Sequence, residues 1–160
     1  MAPDKLEDVR QEITELAQSA RTAQELMHRM VKLLHERMLK YNWVGFYMLE
    51  PGAQPPMLVL GEFEGAMTPH TRIPLNQGIC GAAASSGQTV VVDDVSKDPR
   101  YLACSLETKS EIVVPVFVHG SVVGELDIDS HFSAAFTAEH RDLVQYCAQL
   151  VGQKLEASNR

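Results

Sequence analysis

Two kinds of side chain in this sequence are spaced to do chemistry: thiols and alternating carboxylates. Cys104 sits in Arg100-Tyr-Leu-Ala-Cys-Ser-Leu-Glu-Thr108, within the irregular, polar stretch 95–109. A loop of that length in a compact domain is often functional. A thiol on a polar loop is more open to reaction than one on an apolar helix face, and the thiolate is the reactive form. A buried small hydrophobe is the competing reading. Cys80 follows Asn76-Gln-Gly-Ile79, near an expected helix start, where a helix N-terminus lowers a thiol pKa. Its neighbours Ile79 and Ala82 to Ala84 favour a packed core thiol. Cys147, between Val144 and Leu150 on the expected last helix, reads as core and takes no role.

The carboxylates are Glu111, just before an expected strand, and Asp127 and Asp129 in Gly124-Glu-Leu-Asp-Ile-Asp-Ser130. Residues two apart on a strand share a face, so Asp127 and Asp129 project together. Two carboxylates on an interior face cost free energy unless they meet a cation, a proton or donors. The choice lies between a solvated sheet face and a pocket for a cationic group such as an ammonium. Trp43 and Tyr47 flank Gly45 on one strand face, a spacing that suits a shallow apolar slot or ordinary core aromatics.

The elements that must position these residues follow from periodicity. Leu6, Val9, Ile13 and Leu16 form one helical stripe. Thr22-Ala-Gln-Glu25 has the form of a capping box, opening a second helix expected to end near Tyr41. Strands are expected over 43–49, 57–63, 71–75, 89–94, 112–119 and 122–128. Pro74 places the third at an edge or strand end, and His119-Gly120 is a hairpin turn between the last two. The small residues of 79–86 suit a tightly packed helix, and Thr137 caps a last helix. His28, His35 and His140 read as surface residues. Neither a repeat nor regular βαβ alternation occurs, so the fold class is α+β, helices covering one face of a largely antiparallel sheet. The expected organisation is one domain over 1–160: N-terminal helices in 1–41, sheet and pocket loops in 42–134, and a C-terminal helix in 136–156.

Composition narrows the function. Lys+Arg 14 against Asp+Glu 21 leaves a net charge of −7, without a basic run, which argues against nucleic acid as a partner. No apolar run reaches the ~18 residues of a membrane span, and the charged N-terminus lacks an apolar signal region. An odd number of cysteines, three, fits a reduced cytoplasmic setting better than a disulfide framework. Phosphate-loop, dinucleotide, C-x-x-C, H-E-x-x-H and G-x-S-x-G motifs are absent. Cys80, Cys104 and His70 match no standard zinc spacing, so no metal site is expected.

Taken together, Asn42-Trp-Val-Gly-Phe-Tyr47, Arg72-Ile-Pro-Leu-Asn-Gln-Gly-Ile-Cys-Gly81, Ala103-Cys104 followed by Lys109-Ser-Glu-Ile-Val-Val-Pro115, and Gly124-Glu-Leu-Asp-Ile-Asp-Ser130 resemble the free methionine-(R)-sulfoxide reductases, stand-alone GAF-domain enzymes. The order of the strings and the 24-residue step from Cys80 to Cys104 carry the resemblance, over roughly residues 25–155. It implies a GAF-like fold, a central antiparallel sheet of about six strands with N- and C-terminal helices on one face. It also implies Cys104 as the catalytic thiol, acidic pocket residues at Glu111, Asp127 and Asp129, and an aromatic wall at Trp43 and Tyr47. Backbone N–H groups of Leu102, Ala103 and Cys104 are candidates for the substrate carboxylate. Many members carry a resolving cysteine where this chain has His70, so recycling falls to Cys80 or to an external thiol such as thioredoxin, with no bound cofactor. The alternative is a sensing GAF module without catalysis. Dimerisation through the N-terminal helices is a further expectation for such domains.

Overall fold

The computed structural model describes residues 3–101 and 106–158, the side chains of Pro3 and Asp4 excepted. The chain runs α1 (Pro3–Ser19), α2 (Ala23–Arg37), β1 (Trp43–Leu49), β2 (Met57–Glu64), β3 (Arg72–Pro74), α3 (Gly78–Ser86), β4 (Val90–Val92), β5 (Ser110–Val118), β6 (Ser121–Ser130) and α4 (Ala138–Ser158), with a 3₁₀ turn at Val95–Lys97. The six strands form one sheet in the order β3-β2-β1-β6-β5-β4, and every neighbouring pair is antiparallel.

Local chemistry explains the element ends. The Thr22 hydroxyl accepts from the Glu25 N–H at 3.0 Å, and the Glu25 carboxylate accepts from the Arg21 N–H at 2.6 Å. This is the expected capping box, shifted by one residue on its return arm. α2 stops at Arg37 rather than near Tyr41, because Met38 adopts an extended conformation. His119 and Gly120 have φ of 49° and 80°, the double positive φ of a two-residue type I′ hairpin. The last two strands are longer than expected. β5 starts at Ser110, so Glu111 lies inside it, and β6 continues to Ser130.

Alternation along the strands sorts the sheet into two cores. Val44, Phe46, Ile112, Val114, Val116, Leu126 and Ile128 face α1, α2 and α4. The N- and C-terminal helices thus share one face, as expected. The opposite face carries Trp43, Tyr47, Leu58, Ile73 and Val113, closed by Ile79, Cys80, Ala83 and Ala84 of α3. The small residues of α3 have a reason: a Cβ on Gly81 would lie 2.7 Å from the Leu75 carbonyl oxygen. Only glycine permits α3 to settle that close, which brings Cys80 down to the sheet.

His140 is buried rather than at the surface. Its position follows the Leu143, Val144 and Cys147 stripe of α4, and its Nδ1 lies 2.6 Å from the Tyr41 hydroxyl. Burial lowers its pKa. Among the described residues, no helix is long and apolar enough to cross a membrane. Phe46 is fully buried between sheet and helices. Phe46→Ala is expected to destabilise the fold by about 3–5 kcal/mol, read from urea unfolding. A loss below about 1 kcal/mol would contradict this packing.

Candidate active site

The pleat builds the site. Across the three central strands Trp43 stands opposite Asp129, which stands opposite Glu111. Gly45, Asp127 and Val113 form the next row, and Tyr47, Glu125 and Pro115 the third. All these residues project to the α3 side, since the positions between them serve the helical core. Glu111, Glu125, Asp127 and Asp129 are each at most 5% exposed. Glu125 is the member that sequence reasoning missed. Its signal was the same alternation that paired Asp127 with Asp129, extended one step towards the hairpin.

α3 seals the carboxyl groups from water. The Cys80 thiol donates to Asp127 Oδ2 at 3.3 Å. One side-chain donor atom each of Cys80, Glu111 and Asp127 lies within 4.8 Å of the others. A cavity of about 20 Å³ is lined by Tyr47, His70, Cys80, Glu111 and Asp127, and no Lys or Arg is among its described lining residues. Both oxygens of Glu125, Oδ1 of Asp127 and Oδ1 of Asp129 accept no hydrogen bond among the described residues.

Burial dominates the protonation of this cluster. It pushes Glu111, Glu125 and Asp129 well above the usual carboxylate range, and the neighbouring Asp127 charge adds to each. Asp127 is also raised by burial, but donation from Glu111 and Cys80 offsets part of that. Asp127 is therefore the member that carries charge most readily, with protonated neighbours around it. The Cys80 thiol is pushed well above its ordinary value, first by burial and then by Asp127, Glu125 and Glu111. Of the two readings of Cys80, the packed thiol is the one this burial supports, with the thiol donating to Asp127.

The aromatic pair is placed differently from an open slot. A Cβ on Gly45 would lie 2.3 Å from the Trp43 ring. That ring fills the gap the glycine leaves, stacks on Phe63 at 5.7 Å, and donates its indole N–H to the Ala66 carbonyl at 3.1 Å. Tyr47 lines the cavity and donates its hydroxyl to the His70 carbonyl at 2.7 Å, which holds residue 70 at the cavity wall. Cys147 lies in the other core, its thiol pushed up to about 12 by burial. Leu102, Ala103 and Cys104 lie outside the described residues.

Comparison with known proteins agrees with this geometry. The GAF domain profile matches residues 22–155. The free methionine-R-sulfoxide reductase of Escherichia coli (strain K12) is 41% identical over 119 residues, covering 74% of this chain and 69% of that protein. The free methionine-R-sulfoxide reductase of Neisseria meningitidis, solved in complex with its substrate, superposes with a TM-score of 0.90 at 32% identity, over 99% of this chain and 94% of that one. A type II free methionine-R-sulfoxide reductase from Thermoplasma acidophilum gives a TM-score of 0.78 at 39% identity, over 89% and 96%. The chain belongs to the GAF domain family and, within it, to the free methionine-R-sulfoxide reductases, a family of oxidoreductases.

The raised carboxyls reverse the usual pH response. Their contribution to stability is complete below the unfolded carboxyl range of about pH 4, and is lost as pH rises toward their folded values. Glu125→Gln removes one such group. The urea midpoint of the variant relative to the native chain is expected to shift in the variant's favour between about pH 4 and about pH 8. A difference independent of pH would show that Glu125 is not held protonated.

Proposed function

We propose that this chain reduces free methionine (R)-sulfoxide to methionine, with Cys104 as the attacking thiol. The observation that carries the reading is the face of buried carboxyl groups, Glu111, Asp127 and Asp129, with no Lys or Arg among the described residues lining its cavity. Such a face favours a ligand that brings its own cation. A free amino acid does so through its α-ammonium, whereas a methionine sulfoxide within a peptide chain does not. Asp127 serves the ammonium, since it holds charge most readily. A carboxyl that keeps its proton, Glu111 or Asp129, donates to the sulfoxide oxygen and makes the sulfur electrophilic. Tyr47, on the cavity wall, packs against the S-methyl group with the Trp43 ring behind it, and backbone N–H groups of Leu102–Cys104 take the substrate carboxylate. The relatives named for this activity support the assignment, including one solved with its substrate.

The step balances as follows. Cys104 sulfur attacks the sulfoxide sulfur and forms a transient S–S bond; the protonated oxygen then moves to Cys104 as the S–O and S–S bonds to the substrate sulfur break, leaving Cys104 as a sulfenic acid and releasing methionine. Cys104 is oxidised by two electrons and the sulfoxide reduced by two. A second thiol condenses with the sulfenic acid, giving a disulfide and water. A dithiol such as thioredoxin then restores both thiols. Cys80 or an external thiol supplies the second sulfur. If Cys80 does, its proton passes to the carboxylate it already donates to, Asp127, and from there to the departing hydroxyl, which leaves as water. The reaction calls for no bound cofactor, and a reducing cytoplasmic setting suits it.

The test follows each epimer of racemic free methionine sulfoxide, first with dithiothreitol and then with thioredoxin and its reductase. The R epimer is expected to disappear. Cys104→Ser should abolish turnover with both reductants. Asp127→Asn should lower kcat/KM by roughly 10- to 100-fold, the worth of one charge-assisted hydrogen bond. Cys80→Ser separates the recycling routes: loss only with thioredoxin assigns resolution to Cys80. No turnover of either epimer with either reductant overturns the enzyme reading in favour of ligand sensing.

A further inference from the structure

The cavity under α3 brings together as one compact donor set three side chains that the sulfoxide reading uses separately. Cys80 comes from α3, Glu111 from β5 and Asp127 from β6, and their donor atoms lie within 4.8 Å of one another. Ligands of one tetrahedral zinc ion are roughly 3–4 Å apart, given bonds of about 2.0–2.3 Å. The 3.3 Å between Cys80 Sγ and Asp127 Oδ2 falls in that range. Asp127 is 97% buried, lines the cavity, and its Oδ1 meets no donor among the described residues. The cavity of about 20 Å³ exceeds the roughly 10–15 Å³ that one water-sized occupant needs.

We propose that Cys80, Glu111 and Asp127 form a binding site for a thiophilic divalent cation of the Zn²⁺ class.

The chemistry of the donors selects the ion. Ca²⁺ takes six to eight oxygen ligands and Mg²⁺ an octahedron of oxygens; a sulfur in so small a space suits neither. Thiolate with carboxylate suits Zn²⁺ and Co²⁺. On binding, Cys80 loses its S–H proton to water and its sulfur bonds the metal. Glu111 and Asp127 bind as carboxylates, releasing whatever protons they hold, and no electron changes hands. Asp129 Oδ1, also unpartnered among the described residues, adds negative charge beside the site. No sequence spacing announces the set, because its members lie on three elements that only the closed sheet and α3 bring together. Under the sulfoxide reading, the ion occupies the ammonium position and excludes substrate. That consequence rests on the reading, whereas the binding itself does not.

The test titrates the reduced, metal-free full chain with Co²⁺ under anaerobic conditions and records the near-ultraviolet thiolate-to-cobalt band. Saturation at one ion per chain is expected, with displacement by Zn²⁺. The band should persist in Cys104→Ser, vanish in Cys80→Ser, and require at least about tenfold more Co²⁺ in Asp127→Asn and Glu111→Gln; even outer-shell partners of metal ligands are worth 10- to 100-fold. Circular dichroism confirms the fold of each variant, and should Cys80→Ser not fold, the two carboxyl variants decide. No band in the native chain overturns the site, as does a band that survives Cys80→Ser or is lost in Cys104→Ser, or unchanged affinity in both carboxyl variants. The readout is spectral, and it includes a variant expected to be inactive toward sulfoxide. Failure of the sulfoxide reading therefore leaves this result standing, and the reverse also holds.

Discussion

The costliest feature of this fold is the burial of Glu111, Glu125, Asp127 and Asp129 on one face of β5 and β6. Four carboxyl groups in low dielectric cannot all ionise, because each charge loses its water and repels the others. Replacement of any of them by an apolar residue would spare the fold that cost. Strongly perturbed carboxyls beside a cavity mark a candidate functional site. The rest of the architecture serves this arrangement: three helices carry the apolar core on the far side, which leaves the near side free for polar work.

The site divides its labour through protonation. Asp127 accepts from both Glu111 and Cys80, so it is the natural seat of negative charge. Burial disfavours charge on its neighbours Glu111, Glu125 and Asp129. Cys80, pushed toward the thiol form, is poorly suited to the first attack. This counts against Cys80 as the first nucleophile, the role that the proposed function gives to Cys104. The same donor set that would receive an ammonium also suits a thiophilic metal, because both ligands answer one need: positive charge where protons now supply neutrality.

Much of this was legible in the residues. The helical stripe of α1, the capping box of α2 and the hairpin turn at His119-Gly120 follow from local chemistry alone. Asp127 and Asp129 were recognisable as a pair because strand alternation is a local property. Glu125 was not, because nothing local tells whether the hairpin end of β6 is covered; α3 covers it. His140 was misplaced because its charged sequence neighbours hid its membership of the apolar stripe on α4. At Gly45 the residues left slot and core aromatics open, because spacing alone does not say what fills the gap; the Trp43 ring itself does. Cys80 shows the limit most clearly. Its helix position argued for an acidic thiol, but the acids that oppose this come from strands some thirty to fifty residues away.

The central claim is that the buried carboxyls recognise a cation on the substrate. The most direct measurement compares kcat/KM for free methionine (R)-sulfoxide and for its N-acetyl derivative, which keeps the sulfoxide and loses the ammonium. The account predicts a fall of roughly 100-fold or more on acetylation, equivalent to about 3 kcal/mol or more. Equal turnover of the two compounds would contradict it.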